Sequence, residues 1–238
     1  PSASIAPAVL ERPPIVNSSS LSRREWLALA SAGVALPGLA RAQAWPSKAI
    51  RFVVPFAPGG SSEIVARTTA VELGKALGQS VYVDNKPGGA GNVAMQEVAR
   101  ADDQHTVILG HIGTLAVNPY IFDKLPYDPV KDFRPISLLA KVPSLYLVRP
   151  DLPVANLKEL VELARKRPIT VGNYGMASGW HLMMVQLGRQ AGAKFDIVNY
   201  KGTGPMLVDL LAGQIDLGGG SLAGLGPSIQ RGSIRPFV

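Results

Sequence analysis

The chain is 238 residues long, 47% hydrophobic and 17% charged, a composition that supports a buried core and excludes a wholly disordered polypeptide. It contains no cysteine, which removes disulfides and thiolate metal sites from consideration. Its formal charge of +7 is spread thinly among few aromatics (6%); Arg165, Lys166 and Arg167 sit at a predicted helix end, where the dipole favours them, so the balance argues against nucleic acid and suits an acidic small ligand.

The chain opens with what reads as an address. Ser22-Arg23-Arg24-Glu25-Trp26-Leu27 is a twin-arginine pattern, followed by an uncharged stretch, 27–40, and by Ala42-Gln43-Ala44. A basic start, a short apolar middle and an A-x-A exit are the parts of an export signal. Gly33, Pro37 and Gly38 interrupt the middle too often for a membrane span. Residues 1–44 are therefore read as an export signal behind a disordered leader, cleaved after about Ala44, with the periplasm as destination and both the twin-arginine and the general secretory route open.

Beyond Trp45 the pattern alternates. An apolar strand at 50–56 runs into Ala57-Pro58-Gly59-Gly60-Ser61-Ser62-Glu63 and then a helix over 64–77 that stops at Gly78. A strand at 81–83, a helix at 92–100 and a strand at 106–109 follow, and the last feeds Gly110-His111-Ile112-Gly113-Thr114. Strands are predicted at 136–140 and 145–148, then a helix at 157–167. That helix is well marked: Asn156 can cap it with Glu159 three residues on, Glu162 can pair with Lys166, and Pro168 ends it. Three further strand and helix pairs are read at 170–173 and 179–191, 195–198 and 204–212, and 215–217 and 223–231, with a last strand at 234–238.

Strands alternating with helices predict an α/β fold with parallel sheets, whose ligands bind at the carboxyl ends of the strands. The glycine-rich loops all lie at those ends, and each opens a helix whose first N–H groups lack partners and favour an anion. Catalytic signatures are missing. Ser178 and Ser221 do not complete G-x-S-x-G, no loop carries G-x-G-x-x-G or a P-loop, and His105, His111 and His181 have no zinc-ligand spacing. No catalytic residue, metal or cofactor is therefore expected.

Six segments resemble the substrate-binding proteins of tripartite tricarboxylate transporters, the Bug receptors: Val54 to Gly60, Asp84 to Gly91, Gly113 to Pro119, Leu125 to Phe133, Tyr200 to Pro205 and Asp209 to Asp216. The resemblance runs from Trp45 to the last residue. It implies a periplasmic-binding-protein-like clamshell of type II, with residues 45–143 in lobe 1 and 144–238 in lobe 2, and with the C-terminal part of the first lobe missing from this sequence. It also implies a non-catalytic receptor that captures a small organic acid (a di- or tricarboxylate, an amino acid or an aromatic acid) for membrane permease subunits and acts as a monomer. Carried over residue by residue, lobe 1 supplies Phe56, Ala57, Gly59, Gly60, Ser61, Ser62, Glu63, Gly113, Thr114 and Asn118 to the ligand; lobe 2 supplies Ser178, Gly179, Trp180, His181, Tyr200, Lys201, Gly202 and Pro205. Glu63 stands where the family usually has Asp, and Leu217-Gly218-Gly219-Gly220 is heavy in glycine. A sensory binding module would have the same pocket. A secreted α/β hydrolase would instead use a nucleophile near Ser178 and His181.

Overall fold

The structure, a computed structural model, describes residues 44–237, so all but the last residue of the export signal predicted at 1–44 lies outside the described residues. Two sheets organise this part of the chain. The first has the order β2-β1-β3, all parallel, from β1 (Ile50–Val54), β2 (Val81–Asn85) and β3 (Thr106–Ile108). Helix α1 (Ser61–Leu77) connects the first two strands and α2 (Asn92–Ala99) leads to the third. Phe52 and Val54 of β1 pack on Ala66 and Ala70 of α1, and Gly78 ends that helix in the left-handed region, φ 65°, where glycine carries no Cβ penalty.

The second sheet has the order β6-β5-β7-β4-β8: β4 (Leu145–Val148), β5 (Ile169–Asn173), β6 (Phe195–Asn199), β7 (Leu217–Gly220) and β8 (Arg235–Phe237). It is mixed and not wholly parallel as predicted, because β4 runs antiparallel to both β7 and β8. Helices cover both faces. On one face Val148, Ile169, Val171 and Leu217 pack with Leu160 of α4 (Leu157–Lys166) and with Trp180 and Met184 of α5 (Gly179–Ala191). On the other, Leu147 packs with Met206 and Leu210 of α6 (Thr203–Leu211) and Leu225 of α7 (Leu222–Gln230). The period-2 alternation of Leu147 and Val148 sends neighbours to opposite cores.

The N-terminus of α4 forms as its sequence requires. Asn156 Oδ1 accepts from the Glu159 N–H at 3.0 Å, and the Glu159 carboxylate accepts from the Asn156 side-chain amide and the Ala155 N–H, which satisfies orphan donors at the helix start. Glu162 and Lys166 form no ion pair. The strand predicted at 136–140 is absent; this run lies extended and exposed, with Ile136 and Leu138 uncovered, since no neighbouring strand offers it a ladder partner. A π-turn at Gly113–Val117 and a short helix α3 (Asn118–Ile121) stand where no element was predicted.

Candidate functional site

A cavity of about 520 Å³ opens at the carboxyl ends of the strands of both sheets, and a smaller one of about 270 Å³ shares Phe56 with it. Four helix starts meet at the larger cavity, capped by Gly60 for α1, Ser178 for α5, Gly202 for α6 and Ser221 for α7. The Ser178 Oγ accepts from the His181 N–H at 3.2 Å and the Ser221 Oγ from the Gly224 N–H at 3.4 Å. These are ordinary caps, and they leave the first N–H groups of each helix without intrahelical acceptors.

Of the residues predicted at the ligand, Phe56, Ala57, Gly60, Ser61, Ser62, Ser178 and Gly179 line the larger cavity, while Tyr200 and Lys201 line the smaller. The others stand behind or beside these walls. Glu63 accepts from the Gly59 N–H at 2.7 Å and pairs with Arg67, contacts that hold its carboxyl below the usual range; its charge braces the loop and does not face the cavity. Thr114 and Asn118 are fully buried, where Asn118 donates to Asn92 Oδ1 and the Ala90 carbonyl and the Thr114 carbonyl accepts from the Tyr127 hydroxyl at 2.7 Å. Trp180 is 1% exposed, donates to the Gly172 carbonyl at 3.1 Å and meets Tyr146 edge to face, so it belongs to the core. His181 turns its Nδ1 to the Ala177 N–H, and Pro205 is exposed on α6.

Gly202 and Gly113 have a different place: they lie where loops from the two sheets touch. A Cβ on Gly202 would stand 3.0 Å from the Ala57 carbonyl, and one on Gly113 would stand 3.2 Å from that of Ala177. The Ala57 N–H donates to the Lys201 carbonyl at 2.7 Å across the same seam.

His111, Ile112, Thr203 and Ser221, which are not among the residues predicted at the ligand, also line the larger cavity. His111 packs on Phe56 with ring centroids 4.7 Å apart. Its Nδ1 accepts from the Gly113 N–H at 3.0 Å, which places the imidazole proton on Nε2, a buried atom with no partner. Burial lowers its pKa from 6.5 to about 4, because the cation loses its water. The unfolded chain therefore binds more protons than the folded one between these two values, and stability falls as pH drops through that window. Urea midpoints at pH 7.5 and pH 4.5 should show a loss of at most about 3 kcal/mol from this group, and His111→Gln should flatten the slope.

The Ser178 Oγ donates to Asn173 Oδ1 at 3.0 Å, and the His181 ring makes no hydrogen bond to it, so the serine and histidine pairing of a hydrolase is not formed here. Among the described residues no cluster of three or more His, Cys, Asp or Glu could hold a metal ion, and no helix is long and apolar enough to cross a membrane.

Comparison with known proteins identifies the relatives. A profile described as tripartite tricarboxylate transporter family receptor matches residues 65–237. The chain belongs to this receptor family. An R. palustris protein, Rpa4515, determined with adipate is 36% identical, with a TM-score of 0.78 over 82% of this chain and 66% of that one. The periplasmic binding protein BugD is 34% identical, with a TM-score of 0.76 and the same coverage. MatC from Rhodopseudomonas palustris, with bound malate, is 34% identical, with a TM-score of 0.74 over 82% of this chain and 67% of that one. The chain spans about half the length of the first curated relatives it matches, 53% and 56%. Its mixed sheets with helices on both faces are those of a periplasmic-binding-protein clamshell.

Proposed function

We propose that the chain is a periplasmic receptor that captures a small organic acid and presents it to the membrane permease subunits of a tripartite importer. Capture requires no chemistry. The first N–H groups of α1, α5, α6 and α7 donate to the carboxylate, with the hydroxyls of Ser61, Ser62, Thr203 and Ser178 beside them, and the lobes close over it. In this reading residues 1–44 direct export and are removed, and closure creates the surface that the permease recognises, which needs a ligand that prefers the closed state.

The observation that carries the reading is the meeting of four helix starts at one cavity of about 520 Å³, within the range of small-molecule sites. Anions are favoured at such starts through orphan amides and the helix dipole. Adipate and malate in the related structures support a carboxylate as the captured group.

Thermal denaturation against a panel of aliphatic, aromatic and amino acids tests it. An acid present at 100 times its dissociation constant adds about 2.7 kcal/mol to stability, which raises Tm by roughly 5–10 °C for a chain of this size. A folded protein whose Tm is moved by no acid in a broad panel would end the proposal.

A further inference from the structure

The smaller cavity, of about 270 Å³, is built from both sheets. The loops after β1 and β2, with Phe56 and Ala90, supply one side; the ends of β5 and β6 and the loops after them, with Asn199 and Lys201, supply the other. Phe56 is a wall of both cavities. It reaches across to Gly175, where a Cβ would stand 3.0 Å from its ring, so the two cavities meet at this one side chain. Beside it the Ala57 N–H donates to the Lys201 carbonyl at 2.7 Å, which fixes the backbone of Lys201 at the seam between the sheets.

The lining of this cavity contains hydrogen-bond donors and no carboxylate. Asn199 Oδ1 accepts from Asn173 Nδ2 at 2.7 Å, which leaves the Asn199 amide nitrogen to donate. The exposed Lys201 side chain forms no ion pair among the described residues. At Ala90 the chain passes through the left-handed region, φ 57°, which a residue with a Cβ adopts only where its surroundings fix it. Asn118 donates to the Ala90 carbonyl at 3.1 Å, and the Asn92 N–H donates to the Gly89 carbonyl. The C=O and N–H of a trans peptide point in opposite directions, so the Ala90 N–H is turned away from α2, and it has no acceptor among the described residues. Tyr200 is committed elsewhere: its hydroxyl donates to Asp209 at 2.7 Å, and Asp209 is not part of the lining. A small anion thus finds a cation, a side-chain amide and a backbone N–H, with Pro55, Phe56, Phe122 and Met176 as apolar surface beside them.

We propose that the smaller cavity is a second anion site, which takes a small oxyanion, a short carboxylate or inorganic phosphate, separately from the acid in the larger cavity. The site goes beyond the receptor function proposed above, since it uses different residues. Its donors come from both sheets: Ala90 from the first, Asn199 and Lys201 from the second. An anion held by all three ties the two sheets together and favours the closed form, and by linkage it strengthens capture at the larger cavity by the same factor as the captured acid strengthens it.

Thermal denaturation of the full chain at pH 7.5, with rising phosphate or acetate at an ionic strength held constant by chloride, tests the assignment. Either anion at about ten times its dissociation constant should raise Tm by roughly 3–6 °C, and the one that acts at the lower concentration names the source of the oxyanion. Lys201→Met, at an exposed position, should abolish most of the rise. Lys158→Met, which removes the same charge from an exposed position on α4, should leave it intact. An equal rise in the parent and in Lys201→Met would put the anion at the helix starts of the larger cavity and overturn the second site, as would no rise with either anion. Neither outcome touches acid capture, which the wider panel tests by itself. Solution scattering of the acid-free chain examines closure: phosphate or acetate should reduce the radius of gyration of the parent and not that of Lys201→Met. A rise in Tm without that reduction would refute the tie between the sheets.

Discussion

Replacing Gly204 by alanine is expected to weaken acid binding roughly 100-fold while leaving the ligand-free protein folded. Gly204 is the second residue of α6, where alanine is favoured over glycine by up to about 1 kcal/mol. Local backbone energetics thus predict stabilisation. The opposing effect comes from across the cavity, because a Cβ at this position would overlap the Pro58 carbonyl oxygen and lie 3.5 Å from the Gly59 Cα. Pro58 and Gly59 belong to the loop after β1, in the other lobe.

The overlap cannot be relieved by a rotamer, since both partners are backbone. It is relieved by parting the lobes, at the expense of the Ala57 to Lys201 hydrogen bond and of the tight approaches of Gly59 and Gly60 to α6. A closed form made about a hundredfold rarer than in the parent lowers apparent affinity by that same factor. Titration calorimetry gives the affinity, and solution scattering at an acid concentration that saturates the parent should report a larger radius of gyration for the variant. Gly226 supplies the control, because nothing lies within 4 Å of a Cβ built there; Gly226→Ala should bind as the parent does. Affinity for Gly204→Ala within a few-fold of the parent would show that this seam does not set closure.

The parts of the fold that could be read from sequence are those whose causes are local. Helix α4 carries its own cap, stripe and stop, and it appears within one residue of its predicted ends. Helix α5 is bounded by Ser178 and Gly192, which cap it as a serine and a glycine should. The illegible parts depend on partners distant in the chain. The run 136–140 is apolar enough for a strand, but a strand exists only beside another, and none pairs with it. The direction of β4 is set by β7 and β8, residues 217–237, which no pattern within Leu145–Val148 encodes. Strand β7 was predicted at 215–217 and forms at 217–220, because three successive glycines have no side-chain period to mark a strand. At the site the same division holds: helix starts were visible as glycine and serine before apolar runs, whereas the role of His111 depends on Phe56, its neighbour only in space.

Trp180→Ala is expected to cost about 3–5 kcal/mol of stability, a large share of the ~5–15 kcal/mol that holds a typical domain folded. The family resemblance places Trp180 at the ligand, but the indole fills the core between α5 and β7. A Cβ on Gly219 would overlap the Trp180 indole, whereas Gly218 and Gly220 face Met206 and Leu225 on the opposite side of the sheet. The glycine run of β7 is therefore the complement of helices pressing from both faces, and it tightens the lobe. Removing the indole leaves a cavity bounded by backbone that cannot collapse, and deprives the Gly172 carbonyl of its Nε1 donor. Tm should fall by roughly 6–20 °C for a chain of this size, and Trp180→Phe, which keeps a ring but not the donor, should lose about 1–2 kcal/mol. Affinity separates the two placements. A residue of the core lowers Tm and leaves the dissociation constant of the folded protein within a few-fold of the parent; a large loss of acid affinity with Tm unchanged would move Trp180 back to the ligand.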